Sequence, residues 1–279
     1  MRYKIVVDSC CELPQELKED ERFEIVPLTL IVGDRYEKED DKDFNQRAFL
    51  DAVADCPECP RSACPSPERY LKAYETTAER VYVVTLSSKL SGSHNSAVLG
   101  KELYHERYGE KDIYVIDSRS ASCGETQIVY KILELEQQGL SFSEITGQTE
   151  QFVREMNTYF VLENLDTLRK NGRLSGVKAL VASTLNIKPV MGADDGSIIQ
   201  LGQGIGMKKA LAKMADTAVE EAAGAEGKRL MITHCNNPRA AECVRSHIEE
   251  KLHFKETVVL EAAGVSSMYA NEGGVIVTI

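Results

Sequence analysis

The chain has 279 residues, 43% of them apolar, enough for one large domain or two ordinary ones, each with its own buried core, two being the expectation. A formal net charge of −11 at pH 7 argues against nucleic acid as a partner, because a phosphate backbone demands a basic footprint before any specificity is possible. No run approaches the roughly 20 apolar residues of a membrane span, so stable membrane insertion is not expected, and MRYKIVVDSC reaches Asp8 too soon for a signal peptide; the expectation is a cytoplasmic protein.

In chain order, the first half alternates strand and helix. Lys4 to Val7, Arg80 to Leu86 and Ile113 to Ile116 are short β-branched runs of the kind that form buried parallel strands. Between them Phe44, Ala48, Phe49, Ala52 and Val53 share one helical face, and Ser66 before Pro67 reads as an N-cap with proline at the first helical position. Ligands of such sheets sit beyond the carboxyl ends of the strands. That singles out the loops at Asp8-Ser9-Cys10, Ser87 to Ser93 and Asp117-Ser118.

Near Leu140 the pattern changes. Ser141 with Glu144 forms a capping box that opens a helix toward Met156, and Tyr159 to Leu162 reads as a strand. Further strands are predicted at Ile187 to Met191, Ser197 to Leu201, Arg229 to Thr233, Thr257 to Leu260 and Val275 to Ile279, with helices from Met207 and Pro238. The predicted fold is two-domain α/β. Residues 1–150 form a largely parallel sheet flanked by helices, and residues 151–279 form a second α/β domain. The absence of a low-complexity linker predicts halves that pack together.

The eight cysteines are not expected to form a disulfide framework in a reducing compartment. Cys123, Cys235 and Cys243 read as small buried hydrophobes. Cys56, Cys59 and Cys64 in DCPECPRSAC offer a C-x-x-C spacing that suits zinc or redox chemistry, yet three thiols fall short of the four ligands of a structural zinc site. No metal is expected, and a metal or redox module on these three cysteines is kept as an alternative.

TLSSKLSGSHNSA, Thr85 to Ala97, places five serines and a glycine between a strand and a helix. Hydroxyls and the free N–H groups of a helix start suit a carboxylate or phosphate. The competing reading is that the serines cap the helix and close a turn. A hydrolase reading of Ser93-His94 fails because neighbouring side chains in a turn rarely face each other as nucleophile and base, so His94 is read as a surface or cap residue. A serine-dependent enzyme of another design stays as a second alternative. Gly202, Gly204 and Gly206 make G-x-G-x-G, which departs from the dinucleotide fingerprint and fits a glycine-rich hairpin. Arg173 in NGRLSG and Lys188 in NIKPV are cations near element ends, either solvated or facing a ligand.

VVDS, CPSPERY, SSKLSGSHNSA, VIDS, LENLDTLRKNGRLS, NIKPVMGADDGSI and GVSSMYANEGG together make the chain similar to the bacterial DegV family of fatty-acid-binding proteins, over nearly its whole length. The resemblance implies two α/β domains that clasp an acyl chain, and a carboxylate held by a hydroxyl of a T-S-Q-P-S loop and a serine of an S-G-T loop. Here those are Ser62 and Ser91, with Gly92 between Ser91 and Ser93, and Ser93 at the threonine position. Two departures stand out. The loop reads S-A-C-P-S, with Cys64 in place of glutamine, and Ser266 to Gly274 lacks the histidine that many members carry, leaving Ser267 or Tyr269 to substitute. The resemblance further implies a bound long-chain fatty acid in place of any cofactor, no catalytic residue, and a separate fatty-acid kinase as partner. The expected arrangement has the ligand between the halves, its tail in the core of one domain, and its carboxylate at the Ser87 to Ser93 loop, with Arg173 nearby.

Overall fold

The computed structural model describes residues 1–174, 177, 186–222 and 224–279, which form two α/β units. In the first unit the chain runs through β1 (Tyr3–Asp8), α1 (Gln15–Lys18), β2 (Phe23–Val26), β3 (Thr29–Val32), β4 (Tyr36–Glu39), α2 (Gln46–Ala54) and β5 (Arg61–Ala63). It continues through α3 (Pro67–Tyr74), β6 (Arg80–Thr85), α4 (Ser93–Tyr108), β7 (Asp112–Asp117), α5 (Cys123–Gln137) and α6 (Phe142–Glu155). The main sheet has order β2-β1-β6-β7 and is parallel throughout. Its three predicted strands are in place.

The apolar stretch at Val26 to Val32 is not one element. Pro27, with no N–H to give a ladder, ends β2, and β3 leaves to pair antiparallel with β4 and β5 in a small second sheet. Neither partner is legible in sequence, since β4 is the charged run YEKE and β5 has three residues. The helix starts follow local chemistry. Asn45 caps α2 by accepting the Ala48 N–H at 2.9 Å, and Ser141 with Glu144 forms the predicted capping box of α6. Ser66 holds the N-cap position of α3 without a side-chain bond, and Pro67 at the first position sets that start.

The second unit comprises β8 (Thr158–Val161), α7 (Asp166–Lys170), β9 (Ile187–Asp194), β10 (Ser197–Ile205), α8 (Gly206–Glu221), β11 (Arg229–His234), α9 (Pro238–Glu249), β12 (Glu256–Glu261), α10 (Gly264–Ala270) and β13 (Val275–Thr278). Its mixed sheet has order β10-β9-β8-β13-β11-β12, with β11 and β12 parallel and the other pairs antiparallel. Gly202 and Gly204 lie on the far arm of the β9–β10 hairpin, bulged between Gln200 and Gly202, and Gly206 opens α8. A Cβ on Gly204 would lie 2.4 Å from the Ala210 amide, so glycine there lets the strand lie against α8.

Strand alternation assigns the two faces of this sheet. Tyr159 and Val161 of β8 pack with Ala210, Met214 and Val244 under α8 and α9, whereas Phe160 and Leu162 turn toward the first unit. Cys123 and Cys235 are buried as expected; Cys243 is not. On α9 the buried stripe is Ala241, Val244 and Ile248, and the helical period turns the residue before Val244 out to solvent. Helix α5 joins the units: Gln127 Nε2 donates to the Arg229 carbonyl at 2.7 Å and the Thr278 carbonyl at 3.2 Å, and Glu134 pairs with Arg229 and Lys255.

Candidate functional site

The carboxyl ends of β1, β6 and β7 are organised by two aspartates. Asp8 accepts the Cys10 and Leu86 amides at 3.1 and 3.0 Å, tying β1 to β6, and Asp117 accepts the Ser88 and Arg119 amides, tying β6 to β7. These bonds shape the Ser87 to Ser93 loop. Against the loop ends lies the outward face of β8, and between them is an apolar cavity of about 360 Å³. Leu86 and Leu90 line it from the first unit, and Phe160, Leu162, Leu168 and Ile198 from the second. Its walls come from both halves, so a tail lodged there would lie between the units and not in the core of one.

One rim of the cavity is polar. Ser62 on β5, Ser91 and Gly92 before α4, Arg173 after α7 and Tyr269 on α10 all line it. Five of the seven residues selected from sequence are thus gathered. Ser91 Oγ accepts the Ser93 amide at 3.2 Å, a cap-like bond that occupies a lone pair and leaves the hydroxyl proton to donate. Arg173 donates from Nε to the Leu90 carbonyl at 3.0 Å and from Nη1 to the Asn171 carbonyl; among the described residues it meets carbonyls and no carboxylate. Among the described residues, then, no carboxylate cancels its charge. Burial pushes the Tyr269 phenol above its ordinary pKa, against the opposing influence of Arg173 and the Ser62 hydroxyl, so at neutral pH it is a hydrogen-bond donor. A Cβ on Gly92 would meet Cys64 Sγ, just after β5, at 3.1 Å, so glycine there leaves room for that side chain at the rim.

The other two selected residues are not on the cavity. Ser93 is fully buried and donates to Asp8 Oδ2 at 2.7 Å while the Tyr70 hydroxyl lies 2.6 Å from its oxygen, a closed chain with no proton left for a ligand. Ser267 is buried, donating to the Ala262 carbonyl at 3.2 Å and accepting from Gln46 at 3.1 Å; its neighbour Ser266 lines the wall instead. His94 pairs with Thr85 at 3.3 Å, so it and Ser93 do not face each other as base and nucleophile. Lys188 is held by the carboxylate and carbonyl of Glu163. Ser175, last residue of the NGRLS segment, lies outside the described residues.

The three clustered thiols have different neighbours. Cys56 is half-buried against the core cluster that holds Phe49, Cys59 accepts from Asn171 at 3.5 Å, and Cys64 is exposed at the rim, 3.9 Å from Ser96 Oγ. Among the described residues no three His, Cys, Asp or Glu side chains are gathered so as to hold a metal ion.

Comparison with known proteins now bears on the whole chain. The sequence model of the DegV family, described as an uncharacterised protein family, matches residues 2–279. The chain belongs to the DegV family. A DegV domain-containing protein of Streptococcus gordonii is 36% identical over 280 residues, covering 99% of this chain and 98% of that one. A DegV-family protein of Ruminococcus gnavus, solved with vaccenic acid, is 49% identical with a TM-score of 0.97, covering 100% of this chain and 99% of that one. The Streptococcus pneumoniae Fatty Acid Kinase (Fak) B3 protein, solved with linoleic acid, is 33% identical with a TM-score of 0.89 at the same coverage. Within this DegV chain, sequence reading picked the loops at Asp8 and Asp117 but missed buried Asp8 and half-buried Asp117 as the groups that shape them, and missed the apolar wall on β8. The paired signals VVDS and VIDS at strand ends, and the alternation of TYFVL, carried both.

Proposed function

We propose that this protein binds a long-chain fatty acid, with the tail in the apolar cavity and the carboxylate held by Ser62, Ser91, Tyr269 and Arg173, and presents that carboxylate to a separate fatty-acid kinase. The observation that carries this reading is an apolar cavity with a carbonyl-held guanidinium and three hydroxyls on one rim. Transfer of about 15 methylenes from water offers ~12 kcal/mol at ~0.8 kcal/mol each, against association costs of roughly 4 to 15 kcal/mol, so affinity resides in the tail. Hydrogen bonds to a charged group return about 1.5 to 3 kcal/mol each and select acids over alcohols. The acids in the two solved relatives support the ligand class, and the name of the pneumococcal relative supports the kinase.

Presentation is supported by a second, polar cleft that meets the cavity at Ser91 and Arg173 and opens outward past Lys89, His94 and Asn95. It would give a phosphoryl donor access to the carboxylate. In this reading the protein is a carrier and supplies no general acid, base or nucleophile. We also propose the division between the units near residue 150: α6 packs on α5 and β7, and β8 opens the second sheet. Native mass spectrometry with lipid extraction of purified protein tests the ligand. A stoichiometric acyl mass is expected; an empty protein that also fails to bind added oleic acid would remove the assignment.

A further inference from the structure

Three side chains of the first unit, one donor and two acceptors, grip one segment of the second. Gln46 on α2 donates to Glu261 Oε1, the Ala262 carbonyl and Ser267 Oγ at 2.8, 3.0 and 3.1 Å. Glu12 Oε1 accepts the Ala263 amide at 3.2 Å, and Asp40 accepts the Gly264 and Val265 amides on its two oxygens at 2.9 and 2.8 Å. Both carboxyls are 3% exposed, so the bonds lie inside the molecule and not on a solvated rim. The fit at Gly264 is close: a Cβ there would sit 2.5 Å from Asp40 Oδ1. The segment so held leads into α10, whose Val265, Ser266, Tyr269 and Ala270 form one wall of the cavity.

We propose that Glu12 and Asp40 are positioning residues, which hold the α10 wall against the cavity from across the unit boundary, and that ligand exchange requires them to release the Ala263 to Val265 amides. The inference rests on the fatty-acid reading for its ligand, but the clamp itself does not. Its charge environment gives it a pH dependence. Around Glu12 stand Asp40 and Glu125 and the thiols of Cys10, Cys11, Cys123 and Cys235, with Ser122 donating at 2.6 Å; around Asp40 stand Asp8, Glu12 and Tyr36. Burial raises Glu12 to about 7 and Asp40 to about 6. An opened, solvated carboxyl returns toward its ordinary value, so protons favour the closed state and opening becomes easier as pH rises. For Glu12 alone the opening equilibrium grows by up to about tenfold per pH unit between its open and closed pKa values, then levels above about 7.

Amide hydrogen exchange of delipidated protein, corrected for intrinsic rates, reads the clamp without any ligand. Opening at Ala263 to Val265 should rise severalfold or more from pH 5.5 to 7 and level beyond. Glu12→Gln keeps a carbonyl for Ala263 and lets Ser122 accept from the new amide, so it should fold and weaken this slope; Asp40→Asn places a donor against a backbone donor and should speed exchange at every pH. Release of a fluorescent fatty acid should accelerate in parallel. A pH-independent opening in the parent protein, or an unchanged slope in Glu12→Gln, overturns the proposal even if Asp40→Asn fails to fold. Intact clamp behaviour in a protein that binds no fatty acid would sink the ligand reading and leave the clamp standing.

Discussion

Ser91 and Ser93 are two residues apart and both are hydroxyls at the start of α4, yet their replacement by alanine should have opposite consequences. In Ser93→Ala the donor to Asp8 disappears and the Tyr70 hydroxyl, in a fully buried ring, loses its partner, while Asp8 keeps the Leu86 and Cys10 amides. A buried polar group left unsatisfied costs about 1 to 3 kcal/mol, so a loss near ~2 kcal/mol is expected. At roughly 2 to 4 °C per kcal/mol for a chain of this size, Tm should fall by about 4 to 8 °C. Fatty-acid affinity should hold. In Ser91→Ala the cap-like bond to Ser93 is lost from a half-buried site, costing about 0.5 to 1 kcal/mol of stability. Its free proton is lost to the ligand as well, which should weaken binding by about 1.5 to 3 kcal/mol, roughly 10- to 150-fold. Thermal melts of delipidated protein beside fluorescence titrations with a fatty acid separate the effects, because bound ligand itself raises Tm. If Ser93→Ala loses affinity at unchanged Tm while Ser91→Ala binds normally, the assignment of the two hydroxyls is wrong.

Other outcomes follow from the same geometry. Ser62→Ala and Arg173→Gln should each weaken a fatty acid by about 1 to 3 kcal/mol but leave a fatty alcohol unaffected, and equal losses for both ligands in titrations would contradict a carboxylate site. Gly196→Ala combines φ +79° with a Cβ 2.5 Å from Ser87 Oγ, so it should cost about 1 to 3 kcal/mol in denaturant melts; a neutral result would mean the β9–β10 turn does not seat on the Ser87 loop as described. Both oxygens of Glu125 are buried without a partner beside Asp8, and burial, then the Asp8 charge, raise its pKa well above the ordinary value. That contribution to stability is full below about pH 4.5 and is lost as pH rises, so Glu125→Gln should be more stable than the parent at pH 8 and flatten the decline in melts between pH 5 and 8.

Every strand of the two large sheets except β2, and most helix starts, were legible because they depend on local causes: β-branched runs, a capping box at Ser141, proline at the first turn of α3; the small sheet β3 to β5 was not. The family was legible in motifs that span nearly the whole chain. The site was half legible. Hydroxyls near strand ends mark a ligand side of the sheet, so Ser62, Ser91, Arg173 and Tyr269 could be picked by pattern and resemblance. Pattern alone does not tell Ser91 from Ser93, or Ser266 from Ser267, since neighbours with the same chemistry differ only in which way the backbone turns them. Nor does it show that a C-x-x-C spacing would send its thiols to separate neighbours, or that Cys243 would face water one step off a buried stripe. Asp8, Glu12 and Asp40 acquire their roles from residues up to 251 positions away. Those roles exist only once two sheets are packed together, because a carboxyl becomes a buried organiser when water is excluded and a distant amide arrives to replace it.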